Sequence, residues 1–243
     1  MAKALEKFVL IDLTTELWAS LAAAMLGDFG AEVIRVEDPS GEARRSAYGG
    51  DEPHEPGTLN WRFDLANRNK KSLAVDLDTE AGRDIARELI ARADAVITDR
   101  PRAWLAGRGL DYETLSAEHP RLIYARGSGF GPRGPDADLP AIDELAAAHT
   151  GMMGILPQPG EPPVYPAHGQ MYTTVMLAFG IVTAWYHRER TGEGQAVDAS
   201  LLAGNMYGAS LDLQAFLAIG GERFLHPISR LDAGNPMSGT LYR

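Results

Sequence analysis

Basic side chains are concentrated in and beside one polar segment, residues 38–71, which is rich in Gly, Pro and Arg. Six cations lie in it or next to it: Arg44, Arg45, Arg62, Arg68, Lys70 and Lys71. Connecting segments of this length are usually functional or disordered. Fixed cations can hold phosphate groups through charge-assisted hydrogen bonds. The segment therefore predicts an anion-binding wall, and a solvated charged loop is the alternative with the same composition.

Three side chains farther along the chain could take part in acid–base or nucleophilic chemistry. His168 lies two residues before Gln170, and an imidazole with a tuned pKa can act as a general base. Packing as an ordinary loop histidine is the alternative. Asp143 lies at the start of a predicted helix, where a carboxylate also favours the helix dipole without any catalytic role. No group of His, Asp and Glu has the spacing of a metal site, so we predict no metal.

The elements that must hold these residues begin with a strand, a helix and a second strand. The apolar run Phe8–Leu13 predicts a buried strand, and Ala31–Val36 predicts the next one. Small residues with helical spacing lie between them, which indicates a right-handed crossover between parallel strands. Ligands of such sheets bind beyond the carboxyl ends of the strands. The first turn lacks G-x-G-x-x-G, which argues against a dinucleotide site.

The remaining chain continues the alternation of strands and helices. Further strands are predicted at residues 72–77, 95–98, 122–125 and 195–199, and helices at 79–93, 141–154, 171–188 and 201–220. This order favours a doubly wound, mostly parallel α/β sheet. We expect Ile85 and Leu145 to face the core from their helices. The nearly continuous apolarity of residues 171–188 predicts that this helix is buried.

Overall composition excludes several classes of function. With 23 basic and 33 acidic residues the net charge is −10, which disfavours nucleic acid or an anionic membrane as a partner. The chain has no cysteine, so disulfides, thiolate zinc sites and cysteine nucleophiles are ruled out. No apolar run approaches the roughly 20 residues that span a bilayer. Because the N-terminus also lacks the apolar core of a signal peptide, we predict a soluble cytoplasmic protein.

Four segments, taken in order, carry a specific resemblance. They are DLT with its small-residue helix and DFGAEVIRVEDPSG, then NRNKKSLAVDL, then DRPRAWLAGRGLDYETLSAEHPRLIYARGSGFGPRGP, and last HRERTGEGQAVDASLL. Together they resemble the class III CoA-transferases, the CaiB/BaiF family, which includes formyl-CoA and carnitine CoA-transferases and α-methylacyl-CoA racemases. Each motif alone is weak, whereas their order and spacing are specific. The similarity runs from about Phe8 to the last predicted helix.

The resemblance implies a fold, an assembly and a substrate. It implies a Rossmann-like CoA-binding large domain at residues 1–205, with 206–243 forming a helix and a linker toward a small domain that is absent here. Family members pair as interlocked subunits, so we expect a homodimer or a heteromer with a homologous or complementary chain. Coenzyme A, as an acyl-CoA thioester, is the implied substrate.

The resemblance also implies which residues bind that substrate. The phosphate contacts of the family correspond to basic residues here, namely Arg68, Lys70, Lys71, Arg100 and Arg102. Asp38 stands where the family often has a basic residue or proline, which weakens one expected contact. Leu17 and Trp18 replace the small turn that lines the family's acyl site. Trp18 therefore either narrows that site or packs in the core.

The expected catalytic carboxylate is missing. In the transferases a carboxylate near the start of the long helix attacks the acyl-CoA carbonyl, and counting back from Arg188 places Gln170 at that position. An amide is a poor nucleophile and cannot repeat that cycle. The acid and base of the racemases correspond to Gly169 and to Ile142, which is followed by Asp143. Neither catalytic set of the family is therefore present.

Three hypotheses about function follow. The chain acts on acyl-CoA thioesters with a nucleophile supplied by another residue or another chain. Alternatively, it is a non-catalytic CoA-binding subunit that pairs with a related active chain. The third hypothesis is an acyl-CoA isomerase, hydratase or hydrolase in which His168 or Asp143 acts as the base.

Overall fold

A computed structural model gives the structure of the protein, and it describes residues 3–41, 60–157 and 159–219. The six strands are β1 Val9–Asp12, β2 Glu32–Glu37, β3 Lys70–Ala74, β4 Ala95–Thr98, β5 Ile123–Ser128 and β6 Ala196–Ser200. The helices in the described ranges are α1 Leu17–Asp28, α2 Trp61–Asn67, α3 Glu80–Ala91, α4 Arg102–Ala106, α5 Tyr112–Glu118, α6 Asp143–His149, α7 Met152–Ile155, α8 Gly169–Thr191, α9 Leu201–Gly208 and α10 Ser210–Ile219. Arg44 and Arg45 lie outside the described residues.

The strands form one sheet in the order β3-β2-β1-β4-β5-β6. All of the pairings from β3 to β5 are parallel, and Leu10 of β1 lies between Val33 of β2 and Ala95 of β4. The predicted doubly wound parallel sheet is confirmed. Because the strand order reverses between β1 and β4, the carboxyl ends of these two strands flank the point where open α/β sheets bind their ligands.

The chain divides into two compact units, residues 1–128 with 173–199 and residues 129–172 with 200–243. The core of the first unit lies against the sheet and includes Ile11, Val36, Val96 and Leu105. Burying such side chains stabilises the unit by about 1.5–3 kcal/mol each. The predicted boundary near residue 205 stays a prediction, since much of the segment 206–243 lies outside the described residues.

Two predicted elements have different bounds, for identifiable local reasons. The polar segment 38–71 contains helix α2, because Asn60 caps it by accepting a hydrogen bond from the Phe63 N–H at 3.0 Å. Strand β3 begins at Lys70 rather than Ser72. The predicted helix 141–154 is two helices, separated at Gly151, whose φ of 76° is left-handed and ends a helix.

Three helices expose residues that the sequence analysis predicted to be buried. Ile85 of α3 and Leu145 of α6 are 47% and 45% exposed, because Ala86 and Ala146 take the buried positions beside them. Helix α8 buries Leu177 and Ile181, but its opposite face exposes Val175, Phe179, Val182 and Tyr186. Among the described helices, none combines the length and apolarity needed to span a bilayer.

Candidate functional site

Arginines gather at the carboxyl edge of the sheet, beside the reversal of strand order. Arg100 and Arg102 follow β4, and Arg126 lies in β5 with Thr98 as its neighbour in register. The Arg100 guanidinium lies 4.6 Å from the centre of the Trp104 ring, and that of Arg108 lies 4.1 Å from it. Contacts of this kind hold a guanidinium in place over an aromatic ring. The edge therefore offers fixed cations.

Acidic residues beside these arginines show how the edge is assembled. Two hydrogen bonds from Ser40 hold the pKa of Asp38 below its usual value, and the positive charge of the nearby Arg100 acts in the same direction. Asp198 of β6 interacts electrostatically with both Arg126 and Arg102. Strands β2, β4, β5 and β6 thus bring their charged residues to one edge. Arg126 was not singled out from the sequence, although its place just before the glycine-rich turn was a usable signal.

A second feature of this edge is the turn between β1 and α1. The Asp99 carboxylate accepts hydrogen bonds from the Thr15 N–H at 2.9 Å and the Glu16 N–H at 2.5 Å. Burial raises the pKa of Asp99 to about 6, although these donors act in the opposite direction. Leu17, a predicted binding residue, begins α1 directly after this turn and is half-buried. Asp99 therefore fixes the backbone that enters the candidate site.

Lys70, predicted to contact a phosphate, is instead part of a buried ion-pair network. Its Nζ donates to Asp12 Oδ2 and to Ser20 Oγ, each at 2.7 Å, and Arg35 Nη1 lies 3.2 Å from the same Asp12 oxygen. The side chains of Lys70, Arg35 and Asp12 are at most 3% exposed. Burial acts to raise the pKa of Asp12, but the two cations hold it below its usual value. The network joins β1, α1, β2 and β3, and the phosphate contact of Lys70 stays a prediction, which its burial against Asp12 disfavours.

Arg68 and Lys71 lie at the amino end of β3, the opposite edge from Arg100 and Arg102. Arg68 Nε donates to Asp28 Oδ1 at 3.1 Å, and Lys71 Nζ donates to Glu32 Oε1 at 2.6 Å. All of these strands run in the same direction, so the amino end of β3 and the carboxyl end of β4 lie at opposite edges of the sheet. Arg68 and Lys71 are therefore separated from the arginines that follow β4. Of the cations in the predicted wall, Arg68 and Lys71 thus lie at the amino end of β3 and Lys70 lies in the interior network.

Trp18 is a core residue of the first unit. Its side chain is 3% exposed, and a Cβ added at Gly127 would lie 2.5 Å from its Cη2 atom. Only glycine therefore allows β5 to approach the indole so closely. The indole Nε1 has no hydrogen-bond partner among the residues that the structure describes. The observed burial fits the predicted packing role, and the predicted role of Trp18 beside an acyl site stays a prediction.

The second unit brings Asp143 and Gln170 together. Asp143 is the first residue of α6 and is 2% exposed. Its Oδ2 accepts hydrogen bonds from Tyr165 Oη at 2.5 Å and from the Gln170 N–H at 3.4 Å. Its Oδ1 accepts a hydrogen bond from Asn205 Nδ2 at 2.7 Å. With three donors on its two oxygens and a 2% exposed side chain, this carboxylate has little access to a reacting group.

Tyr165 connects this carboxylate to the side chain of Gln170. Burial and the adjacent Asp143 raise the pKa of the Tyr165 phenol well above its usual value, while a hydrogen bond with the Gln170 side chain lowers it. The phenol therefore stays protonated and donates to Asp143 while its oxygen contacts the Gln170 carboxamide. Neither Tyr165 nor Asn205 was singled out from the sequence, because they lie 22 and 62 residues from Asp143.

His168 is close in sequence to Gln170 but its ring is packed elsewhere. The imidazole lies edge-on to Tyr172, with the ring centres 5.7 Å apart. A Cβ at Gly208 would be only 2.8 Å from Nε2, which is buried and has no hydrogen-bond partner in the described part of the chain. This nitrogen faces helix α9, which favours a packing role over that of a general base. Within the described ranges, no three His, Asp or Glu residues are placed to hold a metal ion.

Comparison with known proteins agrees with the sequence motifs. The family model for CoA-transferase family III matches residues 5–241. Cinnamoyl-CoA:phenyllactate CoA-transferase from Clostridium sporogenes is 36% identical over 93% of this chain and 55% of its own length. The alpha subunit of succinyl-CoA–L-malate CoA-transferase from Chloroflexus aurantiacus is 33% identical over 79% of this chain and 45% of its own length.

A solved structure has the same fold. The CAIB/BAIF family protein from Brucella suis superposes with a TM-score of 0.82 at 30% identity, covering 91% of this chain and 59% of that protein. The chain spans about half the length of the curated relatives it matches. Motifs, fold and relatives agree, and the chain therefore belongs to CoA-transferase family III.

Proposed function

We propose that this chain binds acyl-CoA thioesters and acts as the CoA-binding part of a family III CoA-transferase. The observation that carries the proposal is the group of arginines at the carboxyl edge of the sheet, Arg100, Arg102 and Arg126, beside the reversal of strand order. The diphosphate and 3′-phosphate of coenzyme A require fixed cations of this kind. Both relatives named above are CoA-transferases, and their names give cinnamoyl-CoA and succinyl-CoA as donors.

We further propose that the transferred acyl group is attacked by a nucleophile from a second polypeptide and not by residue 170 or 143. The carboxamide of Gln170 is a poor nucleophile, and Asp143 is buried beneath Tyr165 and Asn205. A second polypeptide that supplies the carboxylate fits this arrangement. The Chloroflexus relative, which is named as an alpha subunit, supports a heteromeric assembly.

A non-catalytic CoA-binding subunit is the second candidate function. The replacement at Gln170 favours it, since the arginines of the carboxyl edge are present while an amide stands at the position of the expected nucleophile. An isomerase, hydratase or hydrolase has less support. Its candidate bases are His168, whose Nε2 faces Gly208 of α9, and Asp143, which is 2% exposed.

Calorimetric titration with coenzyme A tests the proposed site. We expect Arg102→Ala to weaken CoA binding about tenfold or more, because a charge-assisted phosphate contact contributes roughly 1.5–3 kcal/mol. Lys71→Ala is the matched control, since it also removes one cation but at the opposite edge of the sheet, where Lys71 pairs with Glu32. Equal losses in both variants, or no CoA binding by the unmodified chain, would refute the proposed site.

The exposed stripe of α8 leads to a prediction about assembly. Val175, Phe179, Val182 and Tyr186 lie on one face of the helix and are 37–71% exposed. Contiguous apolar surface of this kind usually marks an interface. We propose that it is covered in a homodimer or by a second chain, and we expect light scattering to give a mass above the 26.3 kDa of one chain.

The same measurement on two variants localises the interface. Phe179→Glu places a charge at the most exposed position of the stripe and should shift the protein toward the monomer. Thr183→Glu is the control, because Thr183 is an exposed polar residue of the same helix. A well-behaved monomer before any substitution would contradict the proposed assembly.

A further inference from the structure

A cavity of about 420 Å³ lies at the amino edge of the sheet, the edge opposite the arginines that follow β4. Its wall is formed by residues 3–8, which lead into β1, by Asp94 directly before β4, and by the last turns of α8. All of these residues belong to the first unit. Binding sites for small molecules have volumes of about 300–1,000 Å³. The cavity is therefore large enough for a ligand, and it is separate from the proposed CoA site.

An ion pair fixes the polar part of the wall in one arrangement. Asp94 Oδ2 accepts a hydrogen bond from the Val9 N–H at 2.8 Å, and Asp94 Oδ1 accepts one from Arg188 Nη2 at 2.7 Å. Arg188 Nη1 also donates to the Asp94 carbonyl at 3.1 Å. The Arg188 side chain is only 5% exposed, so the guanidinium cannot rotate without losing bonds that a buried group needs. The two charges of this pair balance each other.

This guanidinium keeps one donor for a further acceptor. Arg188 Nε is buried and makes no hydrogen bond to any residue of the ranges that the structure describes. Glu189 Oε1 lies 3.6 Å from Nε and 3.9 Å from Arg121 Nη2, which is too far for a hydrogen bond to either. Because Glu189 and Arg121 are both exposed, Glu189 can turn toward Arg121 at little cost. A ligand oxygen that takes the place of Glu189 Oε1 would satisfy the Nε donor.

The remaining charges of the wall favour an anion. Once Asp94 is paired with Arg188 and Glu189 has turned away, the charged side chains left at the cavity are Lys3, Lys7 and Glu6. Two cations and one anion give a net charge of 2 − 1 = +1. All three side chains are exposed, so they attract an anion to the cavity while water still solvates them.

The apolar part of the wall suits an apolar or aromatic body. Phe8 packs edge-on against Trp185, with the ring centres 5.6 Å apart, and Leu5 lines the same cavity. We propose that the cavity binds a small carboxylic acid whose carboxylate accepts a hydrogen bond from Arg188 Nε and whose body packs against Phe8 and Trp185. This site goes beyond the proposed function and does not depend on it.

Calorimetric titration of the full chain with phenylacetate tests the proposal. We expect phenylacetate to bind about five- to tenfold more tightly than phenylacetamide, its neutral isostere, because a hydrogen bond to a charged group is the stronger one. Tryptophan fluorescence should change on binding, and Trp185→Phe should remove that change while calorimetry still detects the ligand. Equal affinities for the two compounds, or no binding of phenylacetate, would overturn the proposal whether or not the chain binds coenzyme A.

Two variants at exposed glutamates test the role of Arg188 without disturbing the buried ion pair. Glu189→Ala removes the anion beside Nε, so it should tighten phenylacetate binding about two- to fivefold. Glu193→Ala is the matched control, because Glu193 is exposed just beyond the end of α8 and does not line the cavity. An unchanged or weaker affinity in Glu189→Ala, or an equal gain in Glu193→Ala, would contradict binding of the carboxylate at Arg188 Nε.

Discussion

Replacing Asp12 with alanine should destabilise the first unit by about 3–5 kcal/mol, since it leaves two buried cations without their shared carboxylate. Lys70 Nζ and Arg35 Nη1 lie 2.7 and 3.2 Å from Asp12 Oδ2, and these side chains are almost fully buried. Domains of this kind have net stabilities of only about 5–15 kcal/mol. A large fall in the urea midpoint of unfolding is therefore expected.

An exposed ion pair of the same sheet is the control for this experiment. Lys71 Nζ lies 2.6 Å from Glu32 Oε1, but the two side chains are 71% and 45% exposed. Exposed pairs contribute roughly 0–1 kcal/mol, because water already solvates both charges. Glu32→Ala should thus change the free energy of unfolding by less than about 1 kcal/mol. If Asp12→Ala and Glu32→Ala lowered the free energy of unfolding by similar amounts, burial of the Asp12 network would not be the source of its contribution to stability.

The sheet could be predicted from the sequence because its signal is local. The buried strands read as short apolar runs, such as Phe8–Leu13, and the alternation of strands with helices leaves few possible topologies. The N-cap of α3 was also predicted correctly, and Thr79 accepts a hydrogen bond from the Gly82 N–H at 3.1 Å. Helix α2 was missed because its start depends on Asn60 within a segment dominated by charge and glycine.

The positions of individual cations could not be read from the sequence. Lys70 and Lys71 are adjacent, but strand geometry places their side chains on opposite faces of the sheet. One side chain is buried against Asp12, 58 residues away, and the other is exposed. Which lysine meets the carboxylate depends on the pairing of β3 with β2, which begins at Lys70. A shift of β3 by one residue would exchange the two roles.

The candidate catalytic residues could be identified from the sequence, but their surroundings could not, for a similar reason. Asp143, His168 and Gln170 were singled out by type and by motif, but their access to a substrate depends on neighbours that are distant in sequence. Trp18 shows the same limit, since its burial depends on Gly127 of β5. Trp18→Ala is therefore expected to leave a cavity in the core rather than to open the acyl site.

The second large effect concerns covalent chemistry at residue 170. We expect this chain alone to form neither an acyl anhydride nor a CoA thioester, because the carboxamide of Gln170 is not a competent nucleophile. The neighbouring carboxylate cannot take its place while Tyr165, Asn205 and the Gln170 N–H all donate to it. Turnover by the isolated chain through the family's two-step exchange should therefore be absent.

Intact-protein mass spectrometry after mixing with succinyl-CoA tests this account most directly. Calorimetry on the same sample first establishes that the site is occupied, so that a negative result is informative. The account predicts bound succinyl-CoA and an unchanged protein mass. A stoichiometric increase corresponding to a succinyl group or to coenzyme A, located on Gln170, Asp143 or another residue of this chain, would contradict it.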